Sequence, residues 1–281
     1  MGFNICIVGL GLMGASLAGA IKGFKNASIT GVDSSEAVLK KALADKLVQT
    51  ATTDISVAVA TADLLIFCVY ARYIPALLKK CAGDIKPGAV VSDICGVKTD
   101  LYNKILPLVP KDISYVGVHP MAGKERDGIE NADPALYKNS SMLICPTEFS
   151  TDEGKKLLAD MANYIGCARI KECDYKTHDA IIAYTSDLMH IASAGLCVNY
   201  PPQMDLSFAA GAFRDCTRIA NINAEAWTEL LLENRENTLH SLDEYLEGLN
   251  SMRAALADNN PEELARLLTL AGDNKREMLK R

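Results

Sequence analysis

The sequence predicts an α/β protein: a doubly wound, mostly parallel sheet over residues 1–172, followed by an all-helical domain over residues 173–281. Three observations carry this reading. Apolar runs of strand length recur up to about residue 170, and most are continuous rather than alternating, as strands covered on both faces require. A glycine-rich turn follows the first of them directly. Beyond residue 174 such runs stop and long helical periods take over.

The elements follow in order. "FNICIV" (3–8) is a strand, "GLGLMG" (9–14) the turn, and the run from Ala15 to Ile21 opens a helix. "ASITGVD" (27–33) is a second strand and "SSEAVLKKALADKL" (34–47) a capped amphipathic helix. Further strands are read at 62–70, 88–94, 113–119 and 140–146, with "ARIKECD" (168–174) closing this part. In the second part, helical periods cover 175–199 and about 223–250, where Trp227, Leu230, Leu231, Leu242, Tyr245, Leu246 and Leu249 share a stripe. Residues 199–221 form an irregular insert, and Asn260-Pro261 supplies an N-cap and a first-turn proline for the last helix.

Composition narrows the partners. A net charge of -6 and a pI near 5.3 disfavour nucleic acid and anionic membrane, leaving small molecules. Nine cysteines occur without a CxxC pair, several inside apolar runs, which predicts a reducing cytoplasm with neither disulfides nor a metal site. The uncharged stretch 5–21 is read as neither signal peptide nor membrane span: no basic segment precedes it, and a span wants roughly 20 apolar residues with fewer glycines.

The glycine turn has the context of a dinucleotide site, because it leaves a strand, opens a helix, and is followed nineteen residues after Gly14 by Asp33 at a strand end. Gly9 permits the tight turn, Gly11 lets a pyrophosphate approach, and Gly14 lets the helix pack on the sheet. Leu10, Leu12 and Met13 complete the cofactor-binding set. Asp33 would accept bonds from ribose hydroxyls and repel a 2′-phosphate, and no arginine follows in "DSSEAV". The expected cofactor is NAD, held in a Rossmann-type domain.

In "SYVGVHPMAGKERDG" (114–128), His119 stands at a strand mouth before Pro120, a position suited to a proton-accepting imidazole. With "VGLGLMGASLA", "SDICGVK" (92–98), "THDAIIAYTSDLMH" (177–190), "GAFRDCTRIA" (211–220) and Trp227, this segment resembles the prephenate/arogenate dehydrogenases of tyrosine biosynthesis over nearly the whole chain. The resemblance implies oxidative decarboxylation of prephenate to 4-hydroxyphenylpyruvate, with arogenate as the alternative substrate. It also implies a second domain like the C-terminal domain of 6-phosphogluconate dehydrogenase, and an active site in the interdomain cleft. Carried over, His119 is the catalytic base and Arg218 the substrate-carboxylate residue. His190, Glu125 and His178 fall on further family positions and Gly96 on the place of a family serine; with Asp127, a charged candidate in the same loop as Glu125, they make the expected substrate-binding set. An acid near the substrate side chain would favour arogenate, which makes Glu125 and Asp127 the residues to watch.

Two departures stand out. Gly96 occupies the place of a family serine in "DICGVK", and "SDLMH" (186–190) keeps only His190 of an S-H-x-P-H stretch. A β-hydroxyacid dehydrogenase would need a catalytic lysine in the first long helix of the second domain, where only Lys176 precedes the apolar run. A non-catalytic NAD sensor remains the reading from another class. The apolar surface of the helical part predicts a homodimer formed through it.

Overall fold

The computed structural model describes residues 2–124 and 126–280. Strands and helices alternate through the first part: β1 (Asn4–Val8), α1 (Leu12–Ala20), β2 (Ser28–Val32), α2 (Glu36–Ala44), β3 (Thr50–Thr52), α3 (Ile55–Val59) and β4 (Leu64–Phe67). Then come α4 (Ile74–Cys81), β5 (Val90–Asp93), α5 (Thr99–Ile105), β6 (Ser114–Pro120), β7 (Ser141–Pro146), α6 (Asp152–Tyr164) and β8 (Arg169–Glu172). Among the described residues these strands form one eight-stranded sheet, ordered β3-β2-β1-β4-β5-β6-β7-β8. Every neighbouring pair is parallel except β6 and β7, where His119 stands opposite Leu143. The chain starts mid-sheet and winds first one way and then the other, so the order reverses between β1 and β4. The crevice beyond their carboxyl ends is where such a sheet can hold a ligand.

The continuous hydrophobicity of the strands has a direct structural reason. Alternate residues of one strand point into different cores: Ile5 and Ile7 pack with Leu17 of α1, Leu39 of α2 and Leu158 of α6. Cys6 and Val8 pack on the other face with Ile55 of α3, Leu78 of α4 and Leu101 of α5. All four residues of β4 are buried. Burying an isoleucine or leucine in this way contributes about 2 kcal/mol. The three-residue β3 at the sheet edge was not expected, because "TAT" is too short to show a period.

The helical part begins with α7 (Tyr175–Ile182), which passes through a π-helical turn (Ala183–Asp187) into α8 (Leu188–Val198). Then follow α9 (Gly211–Thr217), α10 (Ala224–Glu233), α11 (Arg235–Ala257) and α12 (Pro261–Met278), the last capped by Asn260, whose side chain accepts from the Glu263 N–H at 3.0 Å. The single helix expected over about 223–250 is two helices. They break at Asn234, whose Nδ2 donates to the Asp179 carbonyl at 2.9 Å and to Asp187 at 2.8 Å. Apolar periodicity continues across a break that a buried polar side chain imposes.

Candidate active site

The turn after β1 opens a cleft of about 880 Å³. Gly9 has φ +93°, and a Cβ there would lie 2.6 Å from the Cys68 carbonyl oxygen. A Cβ on Gly14 would lie 1.9 Å from the Gly9 carbonyl oxygen, so α1 can sit on the turn only without one. Gly11 is different: a Cβ there would meet nothing within 4 Å, which leaves open space in front of the uncapped start of α1. This is the cradle that a pyrophosphate fills, with free N–H groups and a positive dipole end behind it. Gly9, Gly11, Leu12, Met13 and Asp33 line the cleft.

Leu10 and Gly14 do not. Leu10 is fully buried, and its N–H donates to Asp33 Oδ2 at 2.9 Å, so it shapes the turn rather than meeting a ligand. Asp33 Oδ1 accepts from the Ser35 N–H, also at 2.9 Å. The carboxylate is thereby fixed at the β2 end, with lone pairs remaining for ribose hydroxyls.

His119 sits where β6 ends. Its Nδ1 lies 3.0 Å from His178 Nε2, and His178 Nδ1 lies 2.7 Å from Asp179 Oδ1. Asp179 also accepts the N–H groups of Lys98 at 3.0 Å and Thr99 at 2.7 Å. Burial pushes the Asp179 carboxyl up, but these bonds outweigh it and hold the pKa below the usual range, so the group is ionised. An ionised carboxylate only accepts, so His178 presents Nδ1–H to it and, when neutral, a bare Nε2 to His119. His119 then donates from Nδ1 and carries its lone pair on Nε2. Burial, reinforced by His178 and Lys98, holds the His119 pKa well below the ordinary histidine value. The result is a neutral imidazole with a defined tautomer.

Sequence reading placed His178 at the substrate. It is 1% exposed and lies behind His119, so it cannot touch a ligand in the cleft. Gly96 faces His119 from the other side: a Cβ on it would lie 3.7 Å from His119 Nε2 and 3.0 Å from Leu230 Cδ2.

A buried ion pair that sequence reading did not single out holds this corner together. Lys98 Nζ bonds to Asp93 and to the Val118 carbonyl at 2.8 Å, and both charged side chains are fully buried. Tyr115 Oη donates to Asp93 Oδ2 at 2.9 Å. A Cβ on Gly117 would fall 2.2 Å from Tyr102 Oη and 2.5 Å from Asp93 Oδ2, so the pair fits only beneath a glycine. The signal was available in "SDICGVK", where opposite charges stand five apart at the end of a buried strand.

The helical domain brings other residues. His190 Nδ1 donates to the Ser186 carbonyl at 2.9 Å, and its ring stacks on Trp227 with centroids 3.5 Å apart. Asp187 is buried and accepts from Thr238 Oγ1 at 3.0 Å as well as from Asn234, and burial pushes its carboxyl up. Arg218 is exposed, on a 3-10 turn (Arg218–Ala220) packed against α8. Asp127, expected at the substrate, lines the cofactor cleft, and its Oδ2 accepts from Asn223 Nδ2 at 2.6 Å. Glu125 lies outside the described residues.

Comparison with known proteins gives the family. Residues 17–170 match the family model "prephenate dehydrogenase, nucleotide-binding domain", and residues 174–270 match "prephenate dehydrogenase, dimerization domain". The chain is 30% identical to the cyclohexadienyl dehydrogenase of Zymomonas mobilis, covering 93% of this chain and 91% of that protein. Among solved structures, the Aquifex aeolicus prephenate dehydrogenase in complex with hydroxyphenyl propionate and NAD+ superposes with a TM-score of 0.87 at 26% identity, covering 99% of each chain. The Synechocystis arogenate dehydrogenase gives 0.85 at 29% identity, covering 98% of this chain and all of that one. Family models matching both parts of the chain, with the glycine turn opening a dinucleotide cleft, lead to one assignment: this chain belongs to the prephenate dehydrogenase family.

Proposed function

We propose that this chain catalyses the NAD-dependent oxidative decarboxylation of prephenate to 4-hydroxyphenylpyruvate, within tyrosine biosynthesis. The observation that carries the reading is the line Asp179, His178, His119, which ends in a bare Nε2 turned towards Gly96, whose neighbour Cys95 lines the dinucleotide cleft. NAD held by the Gly9–Gly11 turn, Leu12, Met13 and Asp33 supplies the hydride acceptor. His119 Nε2 takes the proton of the ring hydroxyl as hydride leaves the carbon that bears it. Aromatisation then breaks the bond to the ring carboxylate, which departs as carbon dioxide. The borrowed proton returns to what is now a phenolic oxygen, so His119 ends as it began. A positioned base of this kind contributes about 10²- to 10⁴-fold.

For the helical domain, residues 173–281, the reading assigns substrate binding and dimer formation. Arg218 offers a planar fork for a carboxylate, and His190, held by Ser186 and Trp227, is the imidazole of this domain assigned to the substrate. Leu206 is 69% exposed and Phe208 79%, and the apolar run Tyr175–Val198 is largely uncovered, which fits a surface buried against a second copy. That run is long and apolar enough to cross a membrane, but its Asp179 and Asp187 are buried with hydrogen-bond partners inside the fold, which favours the interface reading. Nine free thiols suit a reducing cytoplasm.

Arogenate is the second reading, favoured by the Synechocystis relative. Asp127, the acid that would favour an ammonium, lines the cofactor cleft and is tied to Asn223. Measuring NADH formation with prephenate and arogenate side by side tests the proposal: faster turnover of prephenate is expected, and no turnover of either would overturn it.

A further inference from the structure

Helix α10 reaches three places at once. Its N-cap, Asn223, bonds Asp127 on the cofactor side. Trp227 stacks on His190, and Leu230 lies against Gly96 beside His119. Glu225 and Glu229 hold Arg72, which sits in a 3-10 turn (Ala71–Tyr73) just after β4.

Arg72 is gripped closely. Its guanidinium lies 4.8 Å from the ring centroids of both Tyr70 and Tyr73. Nη2 donates to Glu225 Oε1 at 2.9 Å and to Tyr73 Oη at 3.2 Å, and Nη1 bonds Glu229 Oε2. Glu229 Oε1 also accepts the backbone N–H of Arg72 at 3.3 Å, so one carboxylate fixes both the main chain and the side chain of this turn. Glu225 is 79% exposed and adds little, whereas Glu229 is 16% exposed and its pair with Arg72 is less screened. Tyr70 and Tyr73 both line the cofactor cleft. The contact therefore joins a wall of the cofactor site to the helix that carries groups of the substrate site.

We propose that Arg72 is a positioning residue that couples the two sites. Dinucleotide packed against Tyr70 and Tyr73 sets the turn, the turn holds Glu229, and Glu229 sets α10, with Trp227 against His190 and Leu230 against Gly96. Cofactor binding then raises affinity for the dicarboxylate substrate, and substrate must raise affinity for cofactor by the same factor. The substrate half of this inference rests on the function proposed above; the mechanical half, from cleft to α10, does not.

The chain has one tryptophan, Trp227, so its emission reports on α10 directly. The full-length protein is titrated with NAD while Trp227 emission is followed, and NAD affinity is measured separately by calorimetry. Arg72→Met, Arg72→Lys and Glu229→Gln are compared with the wild type. NAD is expected to shift wild-type emission. In Arg72→Met and Glu229→Gln that shift falls to less than half at saturating NAD, and KM for prephenate at saturating NAD rises about 5-fold or more with a smaller change in kcat. Arg72→Lys restores part of both. Should Arg72→Met unfold, Glu229→Gln, which leaves the arginine and its tyrosines in place, carries the test. An unchanged emission shift together with KM within 2-fold in the variants would overturn the coupling. If the wild type turns over neither prephenate nor arogenate, a Trp227 response that depends on Arg72 still supports the mechanical half, so the two failures remain distinguishable.

Discussion

His178 Nε2 lies 3.0 Å from His119 Nδ1, and this contact fixes which nitrogen of His119 can accept a proton. The information originates at Asp179, which compels His178 to donate from Nδ1. Replacing Asp179 with Asn removes the compulsion, since an amide can accept or donate. Asp179→Asn and His178→Asn are expected to lower kcat about 10²-fold, less than the full loss in His119→Ala. NAD affinity, measured by calorimetry, should stay within 2-fold in all three.

The pH profile follows from the same line. The base-competent form of His119 is neutral, and its pKa is held well below 6.5 by burial, His178 and Lys98. As pH falls the imidazole protonates only on passing that lowered pKa, so kcat/KM stays flat through pH 6.5 and drops at more acidic values. A kcat/KM that already halves near pH 6.5 would place His119 in a wetter site than the structure gives it.

Gly96 tests the open side of His119. A serine there places its Cβ 3.7 Å from His119 Nε2, but Leu230 Cδ2 at 3.0 Å must yield by a few tenths of an ångström. A hydroxyl in reach of Nε2 can donate to the lone pair that the substrate hydroxyl needs, a competing bond worth about 1 kcal/mol, or roughly a 5-fold fall in kcat. Gly96→Ala supplies the same crowding without the hydroxyl and should show only the smaller effect of that crowding. Steady-state kinetics on the two variants separates the contributions.

Glycines of the turn should behave oppositely. Gly11→Ala meets nothing in the protein, so its melting temperature should match the wild type while KM for NAD rises at least about 10-fold, because the methyl enters the cradle. Gly14→Ala puts a carbon 1.9 Å from a backbone oxygen and should fail to fold, as read by circular dichroism and soluble yield.

The pair Lys98–Asp93 is structural support for the site. Lys98→Met leaves Asp93 buried without its counter-charge and should destabilise the protein by about 3–5 kcal/mol in urea unfolding. Adding Asp93→Asn should recover part of that loss, because the uncompensated charge is then gone.

The sequence by itself determined most of the sheet and the cofactor turn, and it singled out His119. Each rests on a local signal: continuous apolar runs, glycines at fixed offsets before a strand-end acid, and a histidine locked before proline at a strand mouth. The family likeness of "HPMAGKERDG" and "FRDCTRIA" added the reaction. What lay beyond it were relationships between residues far apart in the chain. His178 stands 59 positions from His119, and Arg72 stands 157 from Glu229, so no periodicity could pair them. Leu10 reads as part of the cofactor motif, yet tertiary packing turns its side chain inward and gives its N–H to Asp33. The helix break at Asn234 was hidden for a similar reason: hydropathy registers which faces are apolar, whereas a buried amide joining Asp179 to Asp187 acts only once those helices meet. Local chemistry can be read from neighbours in sequence; tautomers, ion-pair partners and the tie between two domains are fixed only when the fold brings the partners within bonding distance.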